Sequence, residues 1–179
     1  MKVPLEWLKE FVTVRLAPEA LADRLTMAGL EVAGILDVEG QPVFDIEVTP
    51  NRADCLSIIG VAREVAALTG TALKLPKVRS SKFEVRSGLR TSRSKLRTDL
   101  TIRIEDRAGC RRYVGRLIEG VRMGPSPVWM QRRLAACGIR AINHVVDITN
   151  YVLFETGQPL HAFDADRLRE GAIVVRRAR

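Results

Sequence analysis

The sequence predicts an α+β fold in two parts, and three observations carry that expectation. Ile58, Val61, Ala62, Val65 and Leu68 recur at helical spacing. Phe44, Ile46 and Val48 alternate with Asp45, Glu47 and Thr49, as a half-buried strand does. From about Pro76 to Thr98 apolar periodicity disappears and serine, arginine and lysine take over. The expected organisation is a first domain over 1–76, a basic linker over 77–98 and a second domain over 99–179.

Each element has a local reason. Leu5, Leu8 and Val12 fit one helix face, with Trp7 and Phe11 beside them. A second helix opens on Pro18, carries Leu21, Leu25 and Ala28, and stops at Gly29. Leu30–Val38 and Val43–Thr49 read as a hairpin, turning through Glu39-Gly40-Gln41-Pro42. Asn51, Arg52 and Asp54 lie in a structured loop and are read as structural, with Asp54 as the expected cap of the long helix. That helix ends at Gly70.

Beyond the basic stretch, Thr101–Glu105, Arg112–Val121 and Ala172–Arg177 are expected strands. Ser126 and Pro127 are expected to cap and open a helix with Met130, Leu134 and Cys137 on one side and Gly138 at its end. Val145–Glu155 is an apolar segment closed by Gly157 and Pro159. Arg140 and Asp147 are an expected structural pair, and His144 is given no role.

Composition narrows the function. The 179 residues are 46% hydrophobic, and no apolar run reaches the length of about 18 that spans a membrane. No secretion signal is read at the start, so a cytoplasmic location is expected. Cys55, Cys110 and Cys137 form no CxxC pair, and two histidines are too few for a clustered zinc site, so no metal is expected. Net charge is +8, and the stretch Lys77–Arg103 sets nine cations against Glu84 and Asp99, a net of +7. A block of this kind contacts phosphates or serves as a solvated linker. Arg86, Arg90, Arg93, Lys95 and Arg97 are its nucleic-acid-contact residues.

Four ordered stretches resemble the beta subunit of bacterial phenylalanine–tRNA ligase. They are Val3-Pro4-Leu5-Glu6-Trp7-Leu8 with Met27-Ala28-Gly29-Leu30-Glu31-Val32; Glu47-Val48-Thr49-Pro50-Asn51-Arg52-Ala53-Asp54; Ser126-Pro127-Val128-Trp129; and Asn143-His144-Val145-Val146-Asp147-Ile148-Thr149-Asn150-Tyr151 with Gly157-Gln158-Pro159-Leu160-His161-Ala162-Phe163-Asp164. The resemblance implies a helix-rich, winged-helix-like first domain and then the beginning of an α/β editing domain. It implies that the OB-fold tRNA-binding insertion of the family is missing, because Glu39-Gly40-Gln41-Pro42 closes the hairpin directly. It also implies that the chain ends soon after the editing domain begins, ahead of the synthetic module.

The family's editing domain hydrolyses tyrosine wrongly joined to the phenylalanine tRNA. An apolar pocket rejects an isostere bearing one extra hydroxyl by only about a hundredfold, so a second site is needed. The resemblance places His161 at the catalytic position of that site, where an imidazole can orient water. It places Thr149 and Asn150 at the substrate-binding wall. Read from residue chemistry alone, a lone histidine is a structural group, and Thr149 and Asn150 cap backbone.

The implied partners are the α subunit and tRNA(Phe), with no membrane. No cofactor is expected in this chain, whereas ATP and magnesium serve the full enzyme. No Gly-rich phosphate loop occurs, so no aminoacylation is expected from the chain alone. A trans-acting hydrolase and an RNA-binding module without chemistry are the competing readings.

Overall fold

The computed structural model describes residues 1–76 and 100–178. The basic stretch with Arg86, Arg90, Arg93, Lys95 and Arg97 lies outside them. Helices and sheets are mixed, as an α+β fold requires. The described residues form two compact units. One takes in residues 1–76 and Met123–His161, the other residues 100–122 and 162–178.

In the first unit, strand β1 (Lys2–Pro4) leads into helix α1 (Leu5–Phe11), followed by α2 (Pro18–Met27). Strands β2 (Val32–Val38) and β3 (Gln41–Ile46) form an antiparallel hairpin, and β1 pairs with β3 to give the sheet order β1-β3-β2. The turn is tighter than expected. Glu39 and Gly40 both take positive φ, 53° and 77°, the two-residue geometry that matches strand twist, so Gln41 and Pro42 belong to β3. Val3, Leu8, Leu21, Leu25, Phe44, Ile46, Ile58, Val61 and Val65 are buried in one apolar core.

A 3-10 turn over Pro50–Cys55 enters helix α3 (Ile58–Thr69). Its cap is Ser57 rather than Asp54: the Ser57 Oγ accepts the Gly60 N–H at 3.0 Å. The reason is steric and polar together. Asp54 is spent on Arg52, and its carbonyl would lie 1.9 Å from any Cβ at Gly60. Gly70 ends α3 at φ 65°, as expected.

Two further helices complete this unit, α4 (Val128–Ala136) and α5 (His144–Thr156). Both were expected to fold with the second domain, yet Cys137, Tyr151 and Phe154 pack on the core built by the first 76 residues. Ser126 and Pro127 each shift by one position: Pro127 is the residue before α4, and the Ser126 hydroxyl is turned to another partner.

The second unit holds strand β4 (Thr101–Ile104), paired in parallel with β5 (Ala172–Val175). Asp106 accepts Arg177 Nε at 2.7 Å and the Gly109 N–H at 3.0 Å, and the Arg177 bond first holds its carboxyl below the ordinary value. Arg112–Val121 is not a strand. A Cβ at Gly115 would lie 2.7 Å from Ile102 Cδ1 and 2.9 Å from Leu100 Cδ2. The segment therefore crosses the side-chain face of β4 instead of lying in its plane, where a ladder would form. Among the described residues, no helix is long and apolar enough to cross a membrane.

Candidate functional site

Helix α5 carries two of the three expected site residues and leads to the third. Its start is heavily fixed. Asn143 Oδ1 accepts the Val145 and Val146 N–H groups, both at 3.1 Å. The fully buried Asp147 accepts the Ile142 N–H at 2.9 Å and a short bond from the Ser126 hydroxyl. A buried carboxylate needs such donors. These two bonds replace the expected pairing with Arg140, which forms no ion pair with it.

His144, given no role from sequence, joins the two segments: the Gly124 N–H donates to its Nδ1 at 3.1 Å, and its own N–H donates to the Gly124 carbonyl at 3.0 Å.

Asp147, Tyr151 and Phe154 follow the helical repeat and face the core. Thr149 lies two residues, roughly 200°, from Asp147 and so occupies the opposite side. Its hydroxyl donates to the Val146 carbonyl at 2.6 Å, which leaves only acceptor capacity for another group. Asn150 is half-buried on the flank between those sides. Gly157 ends α5 at φ 78°, and His161 is exposed in the loop beyond. Two open grooves of this unit, about 430 and 560 Å³, are lined by neither Thr149, Asn150 nor His161.

A second constellation escaped the sequence reading. The Arg133 guanidinium lies 5.4 Å from the Trp7 ring centroid and 5.5 Å from that of Trp129. It donates to Tyr151 Oη at 2.7 Å and makes a two-pronged ion pair with Glu10. Burial works against its charge, but Glu10 and Tyr151 outweigh burial and raise its proton affinity. The spacing of four between Trp129 and Arg133 was a readable local signal. Glu10 and Tyr151 are remote in sequence and left none.

Asp54, Cys55 and Glu64 bring their polar atoms within 4.8 Å of one another. Arg52 already fills the role of a cation there, at 3.1 Å from Asp54 and Cys55 and 2.8 Å from Glu64. Burial pushes the Cys55 thiol up to about 11. Thr49 Oγ1 donates to Asn51 Oδ1 at 2.7 Å, so the polar side chains of this loop bond to one another.

A B3/4 domain model matches residues 109–179. A phenylalanine–tRNA ligase beta subunit of Rhodopirellula baltica is 46% identical over 176 residues, covering 98% of this chain and 24% of the relative. Beta subunits of Syntrophus aciditrophicus and Moorella thermoacetica are 49% and 51% identical over 150 residues, 84% and 83% of this chain and 17% of each relative. The chain thus spans a quarter or less of the length of these relatives. Over almost its whole length the chain is similar to part of the phenylalanine–tRNA ligase beta subunits of these bacteria.

Proposed function

We propose that this chain contributes to phenylalanyl-tRNA formation, and to the hydrolysis of tyrosine mischarged on tRNA(Phe), as part of a full αβ assembly. The observation that carries the reading is the placement of α5 inside the stretch that matches the B3/4 domain. Its inner side is locked by Asp147, Tyr151 and Phe154, its opposite side carries the half-buried Thr149, and its cap leads to the exposed His161. A locked inner side and an addressable outer side suit a helix that forms one wall of a binding site.

In this reading His161 orients the attacking water, the Thr149 Oγ accepts a bond from the substrate, and the Asn150 carboxamide supplies donor and acceptor. The first 76 residues form the winged-helix-like domain, and residues 99–179 begin the editing domain. The α subunit and tRNA(Phe) are the partners, ATP and magnesium serve synthesis elsewhere in the assembly, and the location is the cytoplasm. Arg86, Arg90, Arg93, Lys95 and Arg97 supply phosphate contacts to the RNA.

The test is deacylation of tyrosyl-tRNA(Phe) by a full beta subunit carrying this segment, assembled with its α subunit. His161→Ala and Thr149→Val should each slow hydrolysis while phenylalanylation continues. Unchanged hydrolysis in both would remove the editing role.

A further inference from the structure

Helix α5 is tied to α1 at two points one turn apart. The Tyr151 ring stacks on Trp7 with centroids 4.5 Å apart and an interplanar angle of 26°. Four residues on, Glu155 accepts the Trp7 Nε1–H at 3.3 Å. Arg133 of α4 closes the arrangement by reaching Glu10 of α1 and Tyr151 of α5 at once, with its guanidinium over the rings of Trp7 and Trp129. Only a guanidinium has the planar fork for this combination; an ammonium is a point charge.

We propose that Arg133 makes α1 a positioning element for α5, so that the amino-terminal segment sets the rotation of the helix bearing Thr149 and Asn150. A helix held at one point turns about its axis. A helix held at Tyr151 and Glu155 on one stripe does not. A rotation of roughly 10° moves a side-chain tip, about 5–6 Å from the axis, by about 1 Å. A displacement of that size costs a reacting site about a hundredfold. Arg133, Trp7, Glu10 and Tyr151 are thus positioning residues, and their bearing on hydrolysis rests on the editing reading above.

Amide hydrogen exchange on the whole chain tests the positioning without any substrate. Arg133→Met and Tyr151→Phe should each speed exchange of the α5 amides from Ile148 to Thr156 about tenfold. The double variant should be little faster than either single one, because both remove the same tie. Amides of α2, which makes none of these contacts, should be unchanged. Arg133→Lys should behave like Arg133→Met if the fork matters.

Wild-type exchange in α5, or equal acceleration in α2 and α5, overturns the proposal. Selective loosening of α5 supports it even if tyrosyl-tRNA proves not to be hydrolysed, an outcome that removes the editing reading alone.

Discussion

The indole of Trp7 lies against the phenol ring of Tyr151, 4.5 Å between centroids, although a long stretch of chain separates them. Trp7 is 1% exposed and belongs to the core of the first unit. Trp7→Ala should therefore cost about 3–5 kcal/mol in urea unfolding, by cavity formation and loss of the stack. Trp7→Phe keeps a ring on Tyr151, loses the bond to Glu155, and should cost clearly less. If the helices α4 and α5 were independent of the amino-terminal segment, Trp7→Ala would leave their unfolding unchanged.

Ser126 and Asp147 predict a second effect. Removing the Ser126 hydroxyl leaves a fully buried carboxylate with one donor fewer, the Ile142 N–H alone. Ser126→Ala should cost about 1–3 kcal/mol, the desolvation penalty of a buried group left short of a partner. Equilibrium urea denaturation would measure it, and a change below about 0.5 kcal/mol would mean that Asp147 finds another donor.

The entry to α3 offers a graded pair. Ser57→Ala loses the cap bond to the Gly60 N–H and should cost about 1 kcal/mol. Gly60→Ala forces a Cβ to 1.9 Å from a backbone oxygen of Asp54, which must move. It should cost at least as much, about 1–3 kcal/mol, although alanine is the better helix former. Thermal melts that rank Gly60→Ala as the milder change would show that the loop yields easily.

Cys137 governs a pH effect. Burial pushes its thiol from 9.0 up to about 12. Between those values the folded chain keeps a proton that the unfolded chain has released. Stability from this group is therefore fully present below about pH 9 and is lost as pH rises toward 12. Cys137→Ala should flatten the fall of melting temperature over that window. In the native protein at neutral pH, a thiol reagent should label Cys137 far more slowly than after denaturation.

Much of the fold was legible because its signals are local. Gly29, Gly70 and Gly157 end helices where the sequence placed the stops, each at positive φ. The apolar stripe of α3 and the alternation of Phe44 and Ile46 translate directly into burial. What sequence missed is tertiary. Arg112–Val121 reads like a strand, but Gly115 lies over the side chains of Leu100 and Ile102, which no local pattern reveals. Ser126 has the composition of a cap and is claimed by Asp147 instead. At the candidate site, the side of α5 that Thr149 takes depends on Asp147 being the buried residue, and the sequence had paired Asp147 with Arg140 instead. The Arg133 tie that holds the helix depends on Glu10 and Tyr151, whose approach only the fold creates.

The most direct test of the account is the hydrolysis of tyrosyl-tRNA(Phe) by a complete beta subunit that carries this segment, paired with its α subunit. If His161 orients the attacking water, His161→Ala slows this hydrolysis at least tenfold while phenylalanyl-tRNA synthesis proceeds at the parental rate. Equal hydrolysis by the parental and His161→Ala enzymes would contradict it.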